Sequence, residues 1–228
     1  MPVHQLNGYR VVDLTKVLDP RTERRRLRIE RFKTTGHIPD YQSNMDIMSH
    51  LGTHVEGPYH RNEAWPDINS IEVTAFMGRC VLLNFNDMQE NSYIGAADLD
   101  RAAQGRVGAG DIVIMDSPYP LEPFTEKSNT PEDNRLLIGR ETAEWLAKKD
   151  VKAVGFGDGV SIEGTLEDVG CFHDILMARN VVFLEVLKNL DQLKEEVFFI
   201  SFLPLPVIGL DASPVRAVAI EGLPGFSK

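Results

Sequence analysis

Short apolar runs, separated by polar segments bearing glycine and proline, recur along the whole chain. Residues 79–85 (R-C-V-L-L-N-F), 111–115 (D-I-V-I-M), 151–156 and 181–187 are continuous in hydrophobicity and too short for buried helices, so each predicts a buried strand. The β-branched stretch 9–18 predicts a first strand, and 197–203 and 215–220 predict the last two. Between them the period lengthens. Residues 95–104 carry Ala96, Ala97, Leu99, Ala102 and Ala103 at helical spacing and close on Gly105. Residues 141–149 form an amphipathic helix with Ala143, Leu146 and Ala147 inward and Trp145 at its edge, and 171–179 read as a third helix. Strands alternating with helices predict an α/β architecture. No stretch reads as a linker and no internal repeat occurs, so residues 1–228 are expected to form one domain. Two polar segments remain: a Trp- and Pro-bearing loop at 62–70, and a long Pro-, Ser-, Asn- and Glu-rich loop at 117–135 of the length that usually carries function.

Composition narrows the partners. At 43% hydrophobic residues the chain can bury a core without help from a metal or disulfides. A formal net charge of −10 opposes binding to nucleic acid or to an anionic membrane, either of which wants a basic face. Cys80 and Cys171, far apart and flanked by apolar residues, read as buried free thiols. With neither a charged-then-apolar leader nor an apolar run of the roughly 18 residues a membrane span requires, a cytoplasmic protein is expected. One local exception to the acidic balance is the basic run Arg21, Arg24, Arg25, Arg26, Arg28, Arg31 and Lys33, which reads as a solvated face, with a partner-docking arm as the alternative.

Chemistry concentrates in residues 49–60, S-H-L-G-T-H-V-E-G-P-Y-H. His50, His54, Glu56 and His60 fit neither a core nor an ordinary solvated face, and together they point to a metal site. A strand would put all four on one side, because side chains alternate with period two. A straight strand nevertheless fails: four residues extend about 13 Å, whereas two ligands of one ion lie within about 4 Å of each other. A helix is opposed by Gly52, Gly57 and Pro58. The backbone must therefore fold back between His50 and His54 in a tight turn, in which Gly52 supplies a positive φ and Pro58 biases Gly57 to extended geometry. Imidazole and carboxylate donors suit Zn²⁺, Mn²⁺ or Fe²⁺. A catalytic site would leave a position for water, whose lowered pKa makes hydrolysis the economical chemistry. A histidine beside the metal would move protons. Downstream, Glu185 stands amid apolar neighbours in V-V-F-L-E-V-L, which is costly unless it is paired or binds a cation. His173, at the start of the predicted third helix, lies where a helix-to-strand return would bring Glu185 close.

Residues 50–60 resemble the H-x-G-T-H-x-D-x-P-x-H signature of the metal-dependent cyclase-like hydrolases, a family that includes bacterial kynurenine formamidase and isatin hydrolase. The His173/Glu185 pair is similar to that family's second metal-binding element. Leu203-Pro204-Leu205 with the stretch from Asp211 to Ala217 is similar to its closing segment. The resemblance implies a swivelling β/β/α fold, usually dimeric or tetrameric. It further implies that His50, His54 and Glu56 hold one divalent ion, Zn or Mn. Glu56 would bridge to a second ion on His173 and Glu185, and His60 would act as proton donor and acceptor. The implied reaction is hydrolysis of a C–N amide bond in a small formamide or cyclic amide. A lactonase, a ring-forming dehydratase, or a metal-binding protein with saturated coordination remain alternatives. Tyr59, Trp65 and Phe124 are candidates for the substrate wall. Two departures stand out: the family's usual aspartate is Glu56 here, and the usual alanine after it is Gly57.

Overall fold

The computed structural model describes residues 2–36, 38–120 and 133–227. In chain order the strands are β1 (Val3–Leu6), β2 (Tyr9–Asp13), β3 (Leu27–Lys33), β4 (Tyr41–Ile47), β5 (His54–Glu56), β6 (Met77–Asn84) and β7 (Ile112–Asp116). They continue with β8 (Leu136–Leu137), β9 (Ala153–Phe156), β10 (Val160–Ser161), β11 (Val182–Glu185), β12 (Val197–Ser201), β13 (Ala212–Pro214) and β14 (Val218–Glu221). The α-helices are α1 (Ala96–Ala103), α2 (Arg140–Lys149) and α3 (Leu166–Met177). Ten strands join one mixed sheet in the order β1-β2-β14-β12-β6-β7-β9-β11-β5-β13. Its centre, β6-β7-β9-β11, is parallel, and β5 then runs antiparallel to both β11 and β13. The architecture is the mixed α/β arrangement expected from the alternation of patterns.

The apolar runs are continuous because the central strands are covered on both faces. Val81, Leu83, Val113, Met115, Val154 and Phe183 point to the face packed by Leu99 of α1, Leu146 of α2 and Leu176 of α3. The alternate residues Cys80, Leu82, Ile112, Ile114, Val182 and Leu184 point to the other face, against Leu14, Phe76 and Phe202. Both cysteines are free; Cys80 is buried as expected, but Cys171 is only half-buried because it lies toward the rim of α3.

Several boundaries move for identifiable reasons. Helix α3 starts at Leu166 rather than 171, since Thr165 accepts from the Asp168 amide and the Asp168 carboxylate caps the Thr165 amide in return. His173 is therefore in the middle of the helix. Trp145 is buried rather than marginal, its indole N–H donating to Asp100 at 2.8 Å. Of the stretch 215–220 only residues 218–220 are strand, in β14; residues 215–217 follow β13 and carry the chain between distant positions of the sheet. The basic run contributes β3, which pairs with β4 in a hairpin with both faces exposed and so lacks an apolar alternation to read. Of the loop 117–135, residues 121–132 and with them Phe124 lie outside the described residues. No described helix is long and apolar enough to cross a membrane.

Candidate metal centre

The site is built around β5. His54 lies opposite Glu185 of β11 and Pro214 of β13, while Glu56 lies opposite Phe183 and Ala212. Period two places His54 and Glu56 on the face shared with Phe183, which is the face α3 covers. From α3, His173 packs its ring edge-on against Phe183 at a centroid distance of 5.1 Å. The predicted fold-back is present: Gly52 has φ +61°, and a Cβ there would stand 2.7 Å from Leu18 Cδ2. It brings the His50 and His54 rings to 5.1 Å. Gly57 is extended (φ −104°, ψ 170°), and the single 3-10 turn Pro58–His60 then carries the His60 ring to 4.6 Å from that of His50. Thr53 explains the remaining position of the motif. Its buried hydroxyl accepts from the Lys16 amide at 2.8 Å and donates to the Val186 carbonyl at 2.7 Å, tying β5 to the chain leaving β2 and β11. Val186 itself is held at φ +58°, a conformation a β-branched residue adopts only when its surroundings impose it.

Of the six imidazoles and carboxylates predicted or implied for the site, the other five gather around Glu56. Its Oε1 lies 2.6 Å from His50 Nδ1 and 3.2 Å from His54 Nε2. Its Oε2 lies 3.8 Å from His173 Nε2 and 3.9 Å from His60 Nε2, beyond hydrogen-bonding reach. That buried oxygen has no hydrogen-bond partner. Glu185 Oε2 stands 3.6 Å from His54 Nε2. The two triads His50/His54/Glu56 and Glu56/His60/His173 each bring their donor atoms within 4.8 Å, with Glu56 common to both. Two histidines have their outer nitrogen committed already: His54 Nδ1 donates to the Gly52 carbonyl at 2.8 Å, and His173 Nδ1 to the Val169 carbonyl at 2.7 Å. Each is thereby left with Nε2 facing Glu56. Burial alone would push Glu56 up, but the surrounding imidazoles hold it well below the usual carboxylate range. Burial would lower His50, yet Glu56 and Asp211 carry it up to about 9, and Glu185 is raised by burial and by Glu56. The cluster is thus a concentration of negative charge that holds positive charge in place, and an unpartnered buried carboxylate oxygen at its centre is what a divalent ion would satisfy.

Asp211 was not among the predicted ligands. It immediately precedes β13; its carbonyl accepts from the Gly57 amide at 2.9 Å, and its Oδ2 lies 2.7 Å from His50 Nε2 and 3.5 Å from His60 Nδ1. The only signal in the sequence was its place in the closing segment. A cavity of about 470 Å³ opens on the cluster, bordered by His50, His54 and Glu185 on one side and by Arg24, Arg25 and Arg135 on another. Two members of the basic run therefore reach the site, with Arg25 donating to the His50 carbonyl, while Arg26, Arg28 and Arg31 are solvated as expected. Tyr59 and Trp65 do not line this cavity; Trp65 packs against the helix-side core.

Residues 12–163, more than half of the chain, match the family described as "Putative cyclase". The chain belongs to the cyclase family. This cyclase-family match takes in His50 to His60 and ends before His173, Glu185 and Asp211. The chain is similar to the kynurenine formamidase of Bordetella petrii, 27% identical over 191 residues that cover 84% of this chain and 86% of the relative. Among solved structures it is similar to isatin hydrolase A from Ralstonia solanacearum, with a TM-score of 0.70, 25% identity and coverage of 93% and 92% of the two chains. It also shares the fold of isatin hydrolase A from Labrenzia aggregata, solved with benzyl benzoate, with a TM-score of 0.72 at 20% identity and 93% coverage of both chains.

Proposed function

We propose that this cyclase-family protein is a metal-dependent hydrolase cleaving the C–N bond of a small amide, either a formamide or a cyclic amide. The observation that carries the proposal is the buried Glu56 carboxylate with imidazoles ranged along both of its oxygens and one oxygen unpartnered. Similarity to a kynurenine formamidase and to an isatin hydrolase supplies the bond type. His50, His54 and Glu56 would hold one ion, Zn²⁺ or Mn²⁺. Glu56 would be shared with a second, held by His173 and Glu185. A divalent ion held by these residues would supply Lewis-acid polarisation of a carbonyl and a water of lowered pKa. His60 is the most exposed histidine of the cluster, with 34% of its side chain accessible, so it can exchange protons with solvent and protonate the departing nitrogen.

Residues 1–228 act as one catalytic unit on this reading, and the active form is a homodimer or homotetramer. The exposed hairpin supports assembly: β3 and β4 leave Ile29, Phe32, Tyr41 and Met45 open to solvent, and a lone two-stranded ribbon is marginal unless something covers it. The test is elemental analysis of the purified protein, followed by hydrolysis assays on N-formylkynurenine, isatin and simple cyclic amides. The His54→Ala variant is expected to lose both metal and turnover; full activity in that variant after metal stripping would overturn the proposal.

A further inference from the structure

We infer that Asp211 is a positioning residue of the metal centre, fixing which nitrogen His50 turns toward Glu56 and sharing the same carboxylate oxygen with His60. The inference rests on the metal reading above and extends it to a residue outside the histidine motif. A metal-ligating histidine usually donates its second ring N–H to a fixed acceptor, which sets tautomer and ring orientation. His54 and His173 use backbone carbonyls for this, those of Gly52 and Val169. His50 has no carbonyl in that role. Its Nδ1 and His54 Nε2 face the same oxygen of Glu56, and its outer nitrogen, Nε2, meets Asp211 Oδ2 at 2.7 Å. Asp211 is in turn anchored through its own backbone, because its carbonyl accepts from Gly57, the residue that sets the path from Glu56 into the His60 turn. The same Oδ2 lies 3.5 Å from His60 Nδ1, at ion-pair rather than hydrogen-bond distance, so the carboxylate that orients His50 also faces the proton-transfer histidine.

The pattern has a consequence for affinity that activity is not needed to read. Metal-stripped wild type, Asp211→Asn and Asp211→Ala are titrated with Zn²⁺ in competition with a chromophoric chelator, and the thermal midpoint of each metal-free protein is recorded. Loss of a partner of this kind costs about ten- to hundredfold in metal affinity. The alanine variant is expected to show that loss beyond whatever its lower metal-free midpoint accounts for, and the asparagine variant, whose amide oxygen can still accept from His50, is expected to recover most of it. An alanine variant that binds Zn²⁺ within about twofold of wild type overturns the inference. Equal losses in the alanine and asparagine variants overturn it too, since a lost acceptor would not then be the cause. Should the alanine variant not fold, Asp211→Ser, which stops one bond short of His50, is read in the same way. A wild type that binds no divalent ion would instead remove the metal reading itself, an outcome distinct from selective failure at Asp211.

Discussion

Shortening Glu56 by one methylene tests whether this chain has built its site around the longer acid. A carbon–carbon bond is about 1.5 Å, so Glu56→Asp draws the carboxylate back toward β5 by roughly that distance. The strand cannot advance to compensate, because it is hydrogen-bonded on one side to β11 and on the other to β13. The 2.6 Å contact to His50 and the 3.2 Å contact to His54 would open to roughly 4 Å or more, past hydrogen-bonding range. An ion held by the histidines would lose its central oxygen donor. Structural zinc sites with four protein ligands bind with about 10–16 kcal/mol, or roughly 3 kcal/mol for each ligand, so the substitution should weaken metal binding by about a hundredfold. The assay is chelator competition on metal-stripped protein, with Glu56→Gln alongside as a variant that keeps the length and discards the charge. If Glu56→Asp binds Zn²⁺ within about threefold of wild type, the length of this side chain is not tuned to its neighbours and the reasoning fails.

The remaining predictions concern stability. Thr53→Val keeps the side-chain volume but leaves the Lys16 amide and the Val186 carbonyl without their shared hydroxyl. It should cost about 2–3 kcal/mol in denaturant unfolding, and a loss below about 0.5 kcal/mol would show that water replaces the hydroxyl at both groups. Asp116, at the end of β7, is pushed up to about 6 by burial and by the like charges of Asp158 and Asp191, against the Gly159 and Ser117 amides that hold it down. Its folded value lies above its unfolded one, so the native state binds the extra proton, and the destabilisation is absent below about pH 4 and complete above about pH 6. Asp116→Asn should therefore match wild type at pH 4 and exceed it at pH 7.5 by at most about 3 kcal/mol. A variant less stable than wild type at pH 7.5 contradicts this.

Residues 49–60 by themselves determined a good deal. Ligand spacing cannot be reconciled with a straight strand or a helix, so the fold-back at Gly52 and the extended Gly57 were legible from residue types and bond geometry, as were the buried central strands. These are local consequences of chain stereochemistry. Tertiary structure alone decided how the parts meet. Sequence could place Glu185 in a strand, but only the β11–β5 register set it opposite His54. It could place His173 in a helix, but the helix face and its packing on Phe183 depend on the whole sheet. Beyond its place in the closing segment Asp211 carried no signature of its role, being an acid before a short strand like several others in the chain. It became a partner of His50 because β13 closes the sheet beside β5, a pairing between segments more than a hundred residues apart. Period and turn preference are properties of neighbouring residues, whereas strand order follows from which covered surfaces can be buried together, and the site at Glu56 lies where the second kind of constraint assembles the products of the first.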